Sequence, residues 1–448
     1  MRWTVDGRMG ENGPVWSRRS VRLSRFGYLL FVVLFPFGAA LAQEVGEIVS
    51  LLGTAEVWRD RRWQAVGAGE SLAPGDVLRT GAGSRAAVLL ANGSQLKLNA
   101  NSQLELREVA PPAAGWVPAA ARALRSVLRV LSGEVWVRNG GEPLDIQTVP
   151  ATASIRGTEF NLAVEPGDAA RLAVLAGLVE FGNPQGSVLV AANEQATVKL
   201  GEAPRKTVLL DPLDAVQWSL YYPDPVGGPA ERTQDPHSTR YWTQSAQTYL
   251  LRGEVPEARQ ALDRALALDP KDAVAYSLRS NIALVQNRKA EARADAEQAI
   301  AANPASSAAY LSLSLVQQAE FDLNGALASA RQAVELDPNN VRALIQESSL
   351  LFGMGRLRDA IQVAERARRA APNDAMVNTI WGFLQLANLR IDDARDAFQT
   401  AIAQDSTLGL PHLGLGLVLF RRNQTDAAVD EMRKATLLEP MVSLYNSY

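Results

Sequence analysis

Proline and alanine recur on a 34-residue grid in the second half of the chain, and this period constrains the fold more than any other feature. The proline column holds Pro270, Pro304, Pro338, Pro372 and Pro440, with Ser406 in the missing place. Two alanine columns lie seven residues apart: Ala258, Ala292, Ala326, Ala360, Ala394 and Ala428, and Ala265, Ala299, Ala333, Ala367, Ala401 and Ala435. Because seven residues make about two helical turns, both columns lie on one face of a helix, which the proline then ends. The period predicts six helix pairs stacked into an all-α solenoid.

This pattern resembles the tetratricopeptide repeat (TPR). The predicted units are 239–272, 273–306, 307–340, 341–374, 375–408 and 409–442, and residues 443–448 resemble the start of a further, incomplete repeat. A column of small residues in the first helix fits the family: Ala246, Ser280, Ser314, Ser348, Gly382 and Gly416. The resemblance implies that the first helices line a concave groove in which a partner protein or peptide binds.

The resemblance also indicates which side chains face that groove, and they become more apolar toward the C-terminus. The predicted protein-binding groove consists of Leu311, Leu315, Ile345, Phe352, Phe383, Leu386, Leu413, Leu417 and Phe420. Such a lining suits an apolar or amphipathic partner segment. An alternative stays open, in which Phe383, Leu417 and Phe420 pack one repeat against another.

Short β-type runs, separated by turns that contain Gly, Asn or Pro, occupy residues 43–202. The Asn92-Gly93 pair between two such runs predicts a β-hairpin. Many short strands at about ten-residue spacing favour an all-β domain, either a sandwich or a β-solenoid-like sheet.

Three segments of this region resemble signatures of the FecR-domain family: 75–85, which reads GDVLRTGAGSR, 93–96, which reads GSQL, and 148–160, which ends in RGTEF. The resemblance implies a periplasmic, non-catalytic domain, best known from regulators that relay a receptor signal to a sigma factor. A relay regulator needs a cytoplasmic domain before a membrane helix, and only about 25 residues precede the apolar run of this chain. We interpret the motif residues as structural, with an anion or peptide site as the alternative: Gly75, Asp76, Arg79, Thr80, Gly81, Arg156, Gly157, Thr158, Glu159 and Phe160.

A proline-rich connector is predicted over residues 203–238, where prolines favour extended chain. It contains an aromatic cluster of Trp218, Tyr221 and Tyr222. These rings form a candidate docking patch for a partner. In the alternative interpretation they pin the connector against a flanking domain.

The N-terminus has the pattern of a secretory signal over residues 1–42. Six arginines in the first 25 residues precede an uncharged run, Phe26 to Ala42, which ends in an Ala-Leu-Ala cleavage site. The pattern predicts export to the periplasm of a Gram-negative bacterium, with an uncleaved inner-membrane anchor as the alternative.

Composition argues against an enzyme. The chain has no cysteine and only two histidines, and no nucleophile-elbow, P-loop, dinucleotide or zinc signature is present. A net charge of −3 argues against nucleic-acid binding. We therefore expect no catalytic residues, no cofactor and no metal, and predict an exported interaction scaffold. The alternatives are a membrane-anchored signalling regulator and a non-catalytic subunit of a cell-wall or polysaccharide-processing complex.

Overall fold

The computed structural model of the protein describes residues 44–109, 125–208, 212, 214–222, 226 and 233–439. The predicted signal over 1–42, the incomplete repeat over 443–448 and much of the connector therefore lie outside the described residues. Among the described helices, none combines the length and apolar character that a membrane crossing requires.

The N-terminal part folds as two sheets that share one long strand. The first sheet, in order of pairing, contains β4 (Ser71–Leu72), β1 (Gly46–Leu52), β6 (Arg85–Leu90), β7 (Gln95–Leu98), β9 (Ser126–Arg138), β12 (Glu159–Glu165), β13 (Ala169–Ala176), β16 (Glu194–Lys199) and β17 (Arg205–Val208). The second contains β3 (Arg62–Val66), β2 (Ala55–Arg59), β5 (Val77–Thr80), β8 (Gln103–Glu108), β9, β10 (Leu144–Gln147), β11 (Thr152–Ile155), β14 (Leu178–Asn183) and β15 (Gly186–Ala191). Every pairing is antiparallel except that of β9 with β10.

Alternation along the strands divides the side chains of each sheet between two faces. In β7, Leu96 and Leu98 enter a core that both sheets share, so Gln95 and Lys97 lie on the opposite face of the first sheet. Gly133 has a φ of +81° at the point where β9 passes from one sheet to the other, and a side chain there would overlap Ser102. The prediction of a strand-rich, all-β domain is confirmed.

Twelve helices follow in the described C-terminal part, two in each 34-residue unit. The first helices of the units are α1 (Thr239–Arg252), α3 (Ala273–Val285), α5 (Ser307–Ala319), α7 (Val341–Gly353), α9 (Ala375–Ala387) and α11 (Leu410–Arg421). The second helices are α2 (Val255–Leu268), α4 (Lys289–Ala302), α6 (Leu323–Leu336), α8 (Leu357–Ala370), α10 (Ile391–Gln404) and α12 (Thr425–Leu438). The prediction of an all-α TPR solenoid is confirmed.

Periodic polar contacts define the ends of these helices. Asp272, Ser306, Asn340 and Asp374 cap α3, α5, α7 and α9, because each side chain accepts a hydrogen bond from a backbone N–H of the first turn. One residue in each turn between paired helices has a positive φ, between 57° and 75°: Gly253, Asn287, Phe321, Gly355, Leu389 and Asn423. Phe and Leu are unusual in this conformation, which favours Gly and Asn.

The small-residue column holds each helix pair together. In repeats 2 to 4 the hydroxyls of Ser280, Ser314 and Ser348 donate to the carbonyls of Ala292, Ala326 and Ala360, at 2.7–2.9 Å. Repeat 5 differs, because the ring of Phe398 lies beside Gly382, where a Cβ atom would come within 2.6 Å of the ring. The residues of this column are therefore small for two reasons: a serine hydroxyl bonds to the second helix in repeats 2 to 4, and a glycine makes room for an aromatic ring in repeat 5.

Candidate functional site

The outer face of the first sheet packs against the last repeat. Leu437 and Leu438, at the end of α12, form a buried apolar cluster with Val49, Ala87, Trp136, Val216 and Trp218. Leu437 has no exposed surface. This contact covers the C-terminal end of α12, whose two leucines would otherwise be exposed to water.

Two buried basic side chains complete the junction between the β domain and the repeats. Lys97 Nζ donates to the main-chain carbonyls of Ser219 and Leu438, each at 2.7 Å. Arg85 donates to the carbonyls of Trp218 at 2.6 Å and Leu251 at 2.5 Å. Burial lowers the pKa of Lys97 to about 7 and that of Arg85 to about 10. The carbonyls at two helix ends thus gain donors that the helices do not supply.

These contacts place strand β1 across the concave side of the solenoid. At one end of the strand, Glu47 forms an ion pair of 3.2 Å with Lys434 in α12. At the other end, Leu52 pairs with Arg85, which binds Leu251 in α1. Over seven residues, at about 3.3 Å each, β1 spans roughly 20 Å from the last repeat to the first.

A large cleft, which we call the inter-domain cleft, lies between β1 and the first helices of the repeats, and its volume is about 1480 Å³. The β domain contributes Val49, Leu51 and Leu52 to its lining. The repeat side combines amide and hydroxyl groups with apolar side chains, including Gln247, Gln318, Gln346, Ser349 and Ile380, and also carries charged groups such as Arg342 and Asp405.

The predicted groove residues separate into two sets. Leu311, Leu315, Ile345, Phe352 and Phe383 all line the inter-domain cleft. Leu386 is buried beside Phe398, and Leu413 packs on Ala435 with Leu417 nearby, so these three leucines pack repeats together. Phe420 is 60% exposed and lies outside the cleft lining. Phe383 both lines the cleft and packs within its repeat, since its ring lies edge-on to that of Phe398 with the ring centroids 4.9 Å apart.

One end of the cleft carries a chain of charged groups. His412 Nδ1 lies 2.6 Å from Glu431, which in turn lies 3.3 Å from Lys434. Burial raises the pKa of Glu431, but the His412 hydrogen bond and the nearby positive charges outweigh it, and the net pKa is lowered. Burial lowers the pKa of Lys434, yet Glu431 and Glu47 reverse that effect and raise it. Glu431 and Lys434 are therefore an ionised pair that fixes this end of the junction.

The docking-patch interpretation of Trp218, Tyr221 and Tyr222 needs correction. Trp218 is buried in the junction cluster, and Tyr222 is buried against Leu250 of the first repeat. Burial raises the pKa of both tyrosines, that of Tyr222 to about 12. Tyr221 packs against residues of repeat 5 and lines the cleft. The rings therefore fasten the connector to the flanking domains, as the alternative interpretation held, because their apolar surface is already covered.

The first family motif lies in turns and strand pairs of the second sheet. Gly75 has a φ of +87°, and the buried carboxylate of Asp76 accepts hydrogen bonds from Arg59 and from the backbone of Ala73. Arg79 pairs with Glu56 at 2.6 Å and lies over the Trp63 ring. The hydroxyl of Thr80 donates to the carbonyl of Asn99 at 2.6 Å. Gly81 lies close to Thr54, where a side chain would not fit.

The second motif braces another turn. Arg156 donates to the carbonyl of Gly141, and Gly157 has a φ of +63°. Glu159 accepts hydrogen bonds from Arg138 and Trp136. Thr158 and Phe160 are buried, the latter in the shared core. Arg79, Arg156 and Glu159 thus have their partners within the β domain, whereas Arg85, the last residue of the first motif, lines the inter-domain cleft and donates to the carbonyls of Trp218 and Leu251.

Sequence reasoning named Trp218 and the motif that ends at Arg85, but it did not predict the contacts that form the junction. Gln95 donates to Thr436 at 2.8 Å across 341 positions, and no local pattern marks such a pair. One signal was available at Leu437, because the same repeat position carries the exposed residues Glu335 and Arg369 in earlier units. An apolar residue in an otherwise exposed column indicates that something covers it.

Comparisons with known families agree with this architecture. Residues 76–180 match the family described as FecR protein. Two families, both described as tetratricopeptide repeat, match residues 232–282 and 317–380, and residues 277–341 and 382–438. No curated protein shows significant similarity to the chain.

Solved structures resemble separate parts of the chain. One chain of an APC/C hetero-tetramer is 15% identical, with a TM-score of 0.41, and the match covers 48% of this chain but only 42% of that one. A putative anti-sigma factor from Parabacteroides distasonis is 21% identical, with a TM-score of 0.26, over 33% of this chain and 67% of that one. PilF of Pseudomonas aeruginosa is 17% identical, with a TM-score of 0.37, over 47% of this chain and 95% of that one. Every TM-score is below 0.5, so none of these structures indicates what this chain binds. The family matches, together with the two sheets and six helix pairs, identify the chain as a FecR-domain protein with C-terminal tetratricopeptide repeats.

Proposed function

We propose that this protein is an exported, non-enzymatic interaction scaffold of the bacterial envelope that holds a segment of a partner protein in the inter-domain cleft. The observation that carries the proposal is the cleft itself. Its volume of about 1480 Å³ exceeds the roughly 300–1,000 Å³ of small-molecule pockets, which favours a polymer segment as its occupant.

The lining of the cleft supports a peptide. Side-chain amides such as Gln247, Gln318 and Gln346 both donate and accept hydrogen bonds, as main-chain amides do. Apolar groups such as Ile345 and Phe383 stand between them and suit aliphatic side chains. Concave faces of helical repeat arrays are common binding surfaces.

Export rests on the sequence. The arginine-rich start, the apolar run and the Ala-Leu-Ala site form a secretory signal pattern, and the FecR family is best known from the periplasm. We expect the mature protein to begin at Gln43. Cell fractionation followed by N-terminal sequencing tests this expectation. Recovery of the protein in the cytoplasmic fraction, with residues 1–42 still present, would contradict export.

The binding proposal is tested by obstructing the cleft in the full-length protein. Ser349 lines the cleft, and its hydroxyl bonds only to its own helix at Ile345, so Ser349→Trp adds bulk without orphaning a partner. After cross-linking in cells and mass spectrometry, we expect at least tenfold less of the captured envelope protein. The matched control is Gln362→Trp, at an exposed position outside the cleft lining. Equal capture by both variants, at equal thermal midpoints, would refute the proposal.

A second candidate function, a membrane-anchored signalling regulator, is favoured by the FecR match over residues 76–180. It requires that the apolar run from Phe26 to Ala42 stays on the mature chain as an anchor. Retention of this run in an inner-membrane fraction, with a receptor component cross-linked to the β domain, would favour the regulator over the scaffold.

A further inference from the structure

Strand β1 has one edge that is only partly paired. Its inner edge pairs with β6 from Gly46 to Leu52. On the other edge, β4 pairs only with Gly46 and Glu47, and Ile48 exchanges hydrogen bonds with Glu70 and Gly69. From Val49 to Leu52, no strand of the described structure pairs with this edge.

The hydrogen-bond pattern of β6 shows which groups of β1 face that edge. The backbone N–H and C=O of Leu90 bond to Ser94 and Gly93, on the β7 side. Because backbone groups alternate in direction along a strand, those of Ala86 also point toward β7, while those of Ala87 and Arg85 point toward β1. The partners of Ala87 and Arg85, Ser50 and Leu52, are therefore bonded to β6. A bulge after Ile48 resets this alternation.

Leu51 lies between these two bonded residues, opposite Ala86. Its N–H and C=O therefore point away from β6, toward the open edge. Val49, Leu51 and Leu52 all line the inter-domain cleft, together with Ala68 and Gly69. The residues of the open strand edge thus line the same cleft as the amide side chains of the repeats.

We propose that the cleft binds an extended segment of the partner protein, which adds a strand to β1 at Val49–Leu52. The inference rests on the proposed function and specifies the conformation of the partner. An unpaired strand edge is a template for another strand, and main-chain hydrogen bonds provide the affinity in this mode of recognition. On the repeat side the cleft lining includes the amides of Gln318 and Gln346, which bond to each other at 2.8 Å and have further donor and acceptor capacity for a guest.

A helical guest fits the cleft less well. A helix satisfies its own N–H and C=O groups internally, so it leaves those of Leu51 without a protein partner when water is displaced. An extended guest pairs its own N–H and C=O groups with those of Leu51, so the polar groups of both chains are satisfied.

The test uses a tethered probe, which is simple because the chain has no cysteine. Ala68 is exposed and lines the cleft, so Ala68→Cys in the otherwise intact protein places one thiol beside the edge. The probe is a peptide of sequence Cys-Gly-Gly-(Thr-Val)3. Its matched control carries N-methyl groups on the two central residues, which face opposite edges, so that neither edge can pair. Disulfide exchange against 2-mercaptoethanol measures how well each peptide is retained.

We expect the unmethylated peptide to be retained about fivefold to tenfold better than its methylated control. Leu51→Pro, which removes the N–H on the open edge, should bring that ratio to about one, whereas Leu51→Val should keep it. If Leu51→Pro fails to fold, the methylated pair on the unaltered strand decides the question alone. Equal retention of both peptides, or better retention of an alanine-based helical peptide of equal length, overturns the inference.

The outcome is separable from that of the proposed function. If the peptides are retained equally while Ser349→Trp still abolishes partner capture, the cleft binds its partner in another conformation. If Ser349→Trp also leaves capture unchanged, the cleft is not the binding site.

Discussion

The repeats and the junction that joins them to the β domain are stabilised in opposite ways. Within a repeat, partners are near in sequence, as when Ser348 donates to the Ala360 carbonyl twelve positions away. At the junction, Lys97 reaches the Leu438 carbonyl across 341 positions, and both are buried. Periodic sequence thus encodes the repeats, whereas the junction is encoded where the sequence departs from its own period.

The largest effect is expected from restoring the periodic residue at the junction. Leu437→Glu places there the residue type that repeat 3 carries at Glu335, which is exposed. A carboxylate without a partner in this apolar cluster should cost about 3 kcal/mol or more, and the junction should open. Urea unfolding and limited proteolysis of the connector would detect it. Glu335→Gln is the control, and an unchanged midpoint for Leu437→Glu would contradict the assigned contact.

The second prediction concerns repeat 5, whose small position accommodates an aromatic ring. Gly382→Ser installs the residue of repeats 2 to 4, but its Cβ would come within 2.6 Å of Phe398, and overpacking of this kind costs about 1–3 kcal/mol. Adding Phe398→Ala recreates the combination of repeat 4, Ser348 with Ala364, and relieves the overlap, so the double variant should lose less stability than the sum of the two single variants.

Thermal unfolding of the single and double variants tests this coupling. Gly353→Ala is the matched control, because Gly353 ends α7 with open space around it and should gain slightly in stability. Strictly additive effects of Gly382→Ser and Phe398→Ala would show that the two positions do not interact.

The third prediction is a pH dependence that belongs to the junction. The folded protein releases the Lys97 proton above about pH 7, whereas the unfolded chain keeps it up to the ordinary pKa of 10.5. The unfolded state therefore binds more protons between these values, so the free energy of unfolding should rise with pH, by at most about 1.4 kcal/mol per pH unit. Arg85, Arg138, Glu159 and Glu439 are the charged groups that act on Lys97.

Urea unfolding midpoints measured from pH 7 to pH 9.5 test this prediction. The upper limit of pH 9.5 keeps the measurement below the range in which tyrosines titrate. Lys97→Met should flatten the dependence, because it removes the titrating group while keeping a similar side-chain volume. The same slope in Lys97→Met as in the parent would assign the effect to another group.

The smallest effect is expected in a turn. Leu389 has a φ of +62° and is 73% exposed, while Asn423 occupies the same position in repeat 6. Leu389→Asn should raise stability by about 0.5–1 kcal/mol, because Asn tolerates this conformation better. Differential scanning calorimetry would register a small rise in the midpoint, and a fall would indicate that the leucine makes a stabilising contact.

Much of the fold could be predicted because its determinants are local. A proline every 34 residues, two alanine columns and a column of small residues predict the helix pairs, and Asn92-Gly93 predicts the turn between β6 and β7. The candidate site could be predicted only in part. Leu311, Ile345 and Phe352 follow from the repeat position. Leu413 shares the position of Leu311 and Ile345, and Leu386 shares that of Phe352, yet both of these leucines pack between helices.

The sequence by itself determined the order of the two domains, the number of helix pairs in the solenoid and part of the set of residues that line its concave side. Only the tertiary structure decided that β1 crosses that side, that Lys97 and Arg85 join both ends of the solenoid, and that an open strand edge lies within the cleft. The physical reason is the range of the interactions. Helix periodicity and turns depend on neighbouring residues, whereas a buried cation or a free edge has meaning only once distant segments are in contact.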